Sequence, residues 1–286
     1  MITLFSGRPA RFKTVGNPEP AMDPAVLRED MVDSLEYEAK RLVESDSVSV
    51  AMRSVPREEF VPDERGAYQD RAFEQHGSRV LAPSTVARLL ESLSVEPDDT
   101  VLVVGAGVGY TAALLAELAD ECNVQAIDID RRLVVEARSN LADAGYDGVL
   151  VDCRDGADGF PEYAPYDRIL VEAAAVRPPR TLVEQLTPGG RLVMPVGSSE
   201  QTLVAIEPGD ESDEDTGIVE RFGPVRFEPM LVSGEQHSTV ERNRTVREDR
   251  ERAARAAEHR RGWEQDWIDW EDTGQERRAD GHGGFW

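Results

Sequence analysis

Val101-Leu102-Val103-Val104-Gly105-Ala106-Gly107-Val108-Gly109-Tyr110 decides the fold of this chain. Four consecutive apolar residues form a strand buried on both faces. Three alternate glycines then turn the chain into a helix that begins near Thr111. A second apolar run, Val124-Gln125-Ala126-Ile127, ends on Asp128. Strand, glycine turn, helix, strand and acid is the layout of a nucleoside-binding βαβ unit. The glycines let backbone pass close to a ligand, and Asp128 can take two ribose hydroxyls. A dinucleotide site wants a small residue at position 110, to leave room for a pyrophosphate. Tyr110 suits instead a nucleoside without phosphates, and S-adenosylmethionine is the candidate cofactor.

Working outward, strands are predicted near 149–152, 168–172 and 191–196, and helices near 83–94, 110–120, 131–144 and 179–187. Strands separated by helices imply an α/β fold with a doubly wound, mostly parallel sheet covered on both faces. On the N-terminal side, Asp23 caps a helix with Pro24 in its first turn. Leu27, Met31, Leu35, Leu42 and Val43 form its apolar stripe. Residues 1–21 lack periodicity and read as disordered or as a mis-assigned start, with Met22 the true one. The methyl-donor domain is expected over 22–237. Residues 208–217 form an acidic loop, and Val219 to Val232 supplies a closing strand or hairpin.

Residues 238–286 read as a charged helical extension. Eight arginines lie between Arg242 and Arg261, and five acids between Gly262 and Asp272. Trp263, Trp267 and Trp270 fall on one helical face. That face either docks on its own domain or presents aromatic anchors to a partner.

The chain has 286 residues and a formal net charge of -24. Lys13 and Lys40 are its only lysines. An acidic, lysine-poor surface fits a salt-rich cytosol and argues against nucleic-acid binding, which needs a cationic face. Cys122 and Cys153 are too few for a disulfide framework or a metal cluster. Both are expected to be buried and inert, in a reducing compartment. No apolar run is long enough to cross a membrane, and no secretory signal is apparent, so a cytoplasmic protein is expected. No metal site is expected.

Several longer stretches carry a resemblance. Ala51-Met52-Arg53-Ser54-Val55-Pro56-Arg57-Glu58-Glu59-Phe60-Val61-Pro62 is followed by Ala67-Tyr68-Gln69-Asp70. Pro161-Glu162-Tyr163-Ala164-Pro165-Tyr166-Asp167, Ala173-Ala174-Ala175 and Gly189-Gly190-Arg191-Leu192-Val193-Met194-Pro195-Val196-Gly197 come later. In this order they resemble the protein-L-isoaspartate O-methyltransferases, from about 25 to 230. The resemblance implies a Rossmann-like class I methyltransferase that repairs aged proteins by methylating isoaspartyl carboxylates with S-adenosylmethionine. It implies a cofactor set of Gly105, Gly107, Gly109, Asp128, Asp155 and Gly156, with Asp155 at the adenine amino group. Arg154 replaces a glycine of the family.

The main departure is Gly77-Ser78-Arg79-Val80-Leu81-Ala82-Pro83. Leu81 stands where the family has a serine thought to assist at the substrate carboxylate, and Arg79 replaces a threonine. Glu74 and Gln75 also depart from the pattern. His76, Ser78 and Arg79 are the candidate acceptor-side residues, Arg79 through a bidentate contact to a carboxylate. Ser84 and Thr85 are expected to cap the next helix. No catalytic acid or base is assigned, because a carboxylate acceptor is already ionised at neutral pH. The altered loop also leaves room for a weakly catalytic or non-catalytic cofactor-binding adaptor that recruits a partner through its tail, and for another acceptor such as RNA or a small molecule.

Overall fold

The computed structural model describes residues 23–37, 40–208 and 217–231. The proposed Met22 start, most of the acidic loop and the whole 238–286 extension lie outside the described residues.

Seven strands form one sheet in the order β5-β4-β3-β6-β7-β8-β9. The parallel part comprises β3 (Val101–Val104), β4 (Val124–Asp128), β5 (Leu150–Cys153), β6 (Tyr166–Val171) and β7 (Leu186–Gly197). β8 (Gln201–Ile206) and β9 (Ile218–Val225) extend the sheet antiparallel beyond β7. The chain winds outward from β3 to β5 and then crosses back to β6. The order therefore reverses between β3 and β6, where a doubly wound sheet opens its ligand crevice at the strands' carboxyl ends.

The strand period of two divides the core. Val101, Val103, Ala126, Leu170 and Val193 face one helical layer, while Leu102, Val104, Ile127, Ile169 and Met194 face the other. The first layer holds α1 (Pro24–Glu36), α2 (Asp46–Ser54), α3 (Pro83–Leu93), α4 (Tyr110–Ala119) and α5 (Arg131–Asp143). As expected, the Asp23 carboxylate caps α1, accepting from the Ala25 N–H at 3.0 Å.

Several expectations need correction. α1 ends at Glu36, so Leu42 and Val43 lie beyond its stripe. The helix expected over 179–187 is a single turn, α6 (Arg180–Val183), because β7 begins at Leu186. Cys122 and Cys153 are exposed, one in a 3₁₀ turn before β4 and one at the end of β5. Ser84 and Thr85 do not cap α3. Its N-cap is Ala82 without a side-chain bond, and Asp70 Oδ1 instead accepts from the Ser84 N–H at 3.0 Å. A hairpin of β1 (Phe73–Gln75) and β2 (Ser78–Val80) precedes α3.

Candidate active site

At the reversal of strand order lies a cavity lined by Gly105, Gly107, Asp128 and Gly156 on the nucleoside side. Ser78, Arg79, Leu81, Glu172 and the segment Arg226 to Leu231 line it too. Gly105 and Gly107 have φ of 89° and 53°, a region that side chains rarely adopt. A Cβ on Gly105 would stand 3.6 Å from the Cβ of Glu172, so its absence keeps the space between β3 and β6 open.

Asp128 ends β4 and is 8% exposed. Its Oδ2 accepts from the Gly107 N–H at 3.0 Å, and its Oδ1 accepts from the Asp130 N–H at 2.8 Å. The carboxylate thus locks the glycine turn to the start of α5 with charge-assisted bonds. Ile127, Ile129, Leu133 and Met230 add apolar wall. Glycine turn, strand-end acid and apolar walls fit a nucleoside with an uncharged base.

The other candidate cofactor residues divide. Gly156 lines the cavity. A Cβ there would come within 2.4 Å of Val104 Cγ1, so only glycine lets this turn press on β3. Asp155 and Gly109 are not among the lining residues. Asp155 Oδ1 accepts from the Ala157 N–H at 2.9 Å and so shapes the turn that carries Gly156. Gly109 is the N-cap of α4, with Leu141 packed against it. Tyr110 is likewise outside the lining. Its ring packs at 5.6 Å from Phe60 and 4.5 Å from the Arg57 guanidinium.

Ser78 and Arg79 line the cavity, and Arg79 is half-exposed with Glu228 at 4.0 Å. His76 does not line it. Its Nε2 lies 2.7 Å from Glu136 Oε2, tying the hairpin turn to α5. The Leu81 side chain occupies the cavity wall, and its carbonyl is gripped from behind by Arg57.

Two residues escaped sequence reasoning. Arg57 is fully buried, donating through Nε to the Ala67 carbonyl at 2.8 Å and through Nη2 to the Leu81 carbonyl at 2.6 Å. Desolvation lowers its hold on the proton, and the Tyr110 side chain works against that loss. An arginine inside the motif Val55-Pro56-Arg57 was the available signal. Glu172 directly follows β6, and its backbone N–H donates to the Val104 carbonyl at 2.8 Å. An acid closing the apolar run Ile169-Leu170-Val171 was its signal.

The family model for protein-L-isoaspartate(D-aspartate) O-methyltransferase matches residues 27–236. The chain belongs to that family. The protein-L-isoaspartate O-methyltransferase of Methanosarcina mazei is 40% identical over 211 residues, spanning 72% of this chain and 83% of the relative. That of Aeropyrum pernix is 48% identical over 170 residues, spanning 58% of this chain and 65% of the relative. A solved protein-L-isoaspartate O-methyltransferase superposes with a TM-score of 0.65 at 25% identity, covering 78% of this chain and 69% of the other. A Plasmodium falciparum chain crystallised with S-adenosyl-L-homocysteine has a TM-score of 0.62 at 22% identity, covering 71% of this chain and 97% of the other. At that identity the likeness speaks for the fold.

Proposed function

We propose that this chain methylates the abnormal carboxylate of isoaspartyl residues in proteins and peptides, as a repair enzyme. Family membership makes it an S-adenosylmethionine-dependent O-methyltransferase. The observation that carries the site is the single cavity joining the Gly105–Gly107 turn and Asp128 to the Ser78–Leu81 segment.

Gly105, Gly107, Asp128 and Gly156 would hold the cofactor, with Asp155 and Gly109 setting the turns around them. Bound there, S-adenosylmethionine supplies an electrophilic methyl group on a sulfonium. An acceptor carboxylate oxygen, already ionised, would receive that methyl group on one of its own electron pairs, with S-adenosyl-L-homocysteine as the leaving group. No proton moves, so no base is required. The protein contributes alignment and exclusion of water, for which effective molarities reach about 10⁵–10⁸ M. Ser78 and Arg79 line the same cavity and would orient the acceptor, with His76 steadying the turn before them.

Leu81 supports a second reading, a weakly catalytic cofactor-binding adaptor, because an isobutyl group on the cavity wall donates no hydrogen bond. Partners beyond isoaspartyl substrates are inferred from charge alone. A net charge of -24 disfavours nucleic acid, and among the described residues no helix is long and apolar enough to span a membrane. The same acidity supports work in a salt-rich cytoplasm.

The test is methyl-ester formation from labelled cofactor on an isoaspartyl peptide beside its aspartyl twin, at high salt. Transfer confined to the isoaspartyl peptide is expected. Cofactor binding without transfer to it would sink the isoaspartyl reading, and gain of transfer in Leu81→Ser would then favour the adaptor.

A further inference from the structure

Glu172 stands apart from the groups used so far. It sits at the carboxyl end of β6, across the strand-order reversal from Gly105, and it lines the same cavity as Ser78, Arg79 and Leu81. Its Oε1 is enclosed and has no hydrogen-bond partner among the described residues. A buried polar atom without a partner is costly unless a ligand supplies one.

The groups around it define which ligand. Asp128 approaches from β4 and Thr111 from α4. Arg79 and Glu228, 4.0 Å apart, and Arg226 lie on the remaining walls. No cation is paired with Glu172 among the described ion pairs. Burial pushes its carboxyl up to about 7; the Thr111 hydroxyl works against that rise and the charge of Asp128 adds to it. Below neutrality a carboxyl so placed is mostly the neutral acid, and that form is a hydrogen-bond donor. It lines the same cavity as Leu81, which provides no donor.

We propose that Glu172 is a specificity-determining residue whose Oε1–H donates a hydrogen bond to one oxygen of the acceptor carboxylate, leaving the other oxygen free to attack. The assignment rests on the isoaspartyl reading above. In this site the acid does the work of a hydroxyl side chain, with the difference that the donor disappears when it ionises. The arriving carboxylate, a like charge, strengthens the hold of Glu172 on its proton, so binding above neutrality draws a proton from solvent.

The experiment compares wild type with Glu172→Gln, which keeps an N–H donor at every pH, and with Glu172→Leu, which has none. KM for an isoaspartyl peptide is measured across the pH range. Peptide binding in the presence of S-adenosyl-L-homocysteine is followed by calorimetry in buffers of different ionisation heat. Wild-type KM should climb about tenfold per unit above neutrality, or roughly 50-fold between about pH 7 and 9. The Gln variant should show a flat profile and the Leu variant a raised KM throughout. At about pH 8 wild type should take up close to one proton per peptide and the Gln variant none. Coincident profiles for wild type and Gln, with methyl transfer intact, overturn the role of Glu172 alone. So does a Gln variant that loses affinity for S-adenosylmethionine but not for S-adenosyl-L-homocysteine, because the carboxylate would then be the partner of the sulfonium charge. Wild type that neither binds nor methylates the peptide overturns the isoaspartyl reading together with this one.

Discussion

The Gly105–Gly107 turn and the 76–82 loop contribute to one cavity, yet different things hold them. The turn is fixed by its own backbone and one nearby carboxylate. The Gly105 and Ala106 N–H groups both donate to the Ile127 carbonyl, at 2.8 and 3.0 Å, and Asp128 closes the arrangement on Gly107. Beyond the short β1–β2 pairing, the loop is held by side chains that arrive from elsewhere: Arg57 on Leu81, Glu136 beside His76, and Asp70 on the first turn of α3. A turn determined by its own backbone tolerates change around it. A loop held by remote side chains can change its lining, as at Leu81 and Arg79, while its position is kept.

The largest effect expected from this contrast is at Arg57. Arg57→Met would fill much of the same volume but leave the Ala67 and Leu81 carbonyls without their buried donor. Each orphaned acceptor costs about 1–3 kcal/mol, so a loss of about 2–6 kcal/mol is expected in urea unfolding. Peptide KM should rise while cofactor affinity holds in the folded fraction. Equal losses of cofactor and peptide binding would show that the two regions are not separately supported.

Asp128→Asn probes the other side. The amide retains one acceptor and loses the charge, so the two backbone bonds to Gly107 and Asp130 cannot both be kept at full strength. Charge-assisted bonds are worth about 1.5–3 kcal/mol, which predicts a loss of roughly 10- to 100-fold in cofactor affinity by calorimetry. Peptide binding to the loop side should be affected far less.

How much of this was legible in the sequence follows from the same contrast. The parallel strands are visible because burial on both faces makes them continuous apolar runs, as in Val101–Val104 and Ile169–Val171. Asp128 is visible because its distance from the glycines is fixed by one helix and one strand. β8 was missed because Gln201 and Thr202 dilute its apolar run, and the β1–β2 hairpin because its strands are three residues long. Both cysteines were misjudged because nearness to a strand does not fix exposure at its ends. Arg57 and Glu172 lie beyond periodicity altogether. An arginine among apolar neighbours and an acid at a strand end give no hint of their partners until the β3–β6 reversal and the 76–82 loop are in place.

The smallest expected effect is at Asp70, the loop's third support. α3 starts at Pro83 after Ala82, an N-cap without a side-chain acceptor. Pro83 has no N–H and Thr85 already donates to the Ala82 carbonyl at 2.9 Å, so the Ser84 N–H would be left to water were it not for Asp70, which accepts it from 14 residues earlier in the chain. The bond does the work of an N-cap from outside the helix, and its negative charge lies at the positive end of the helix dipole. Asp70→Ala should therefore cost about 1 kcal/mol, the usual value of a cap, with Asp70→Asn recovering part of it. The loss should be seen as a lower urea midpoint at unchanged slope. Because α3 follows directly on Leu81 and Ala82, fraying of its first turn should also speed amide exchange at the start of α3 while the Gly105–Gly107 turn keeps its protection. Equal changes in exchange at both places would mean that the loop and the turn are one cooperative unit, and that the separation between them is only apparent.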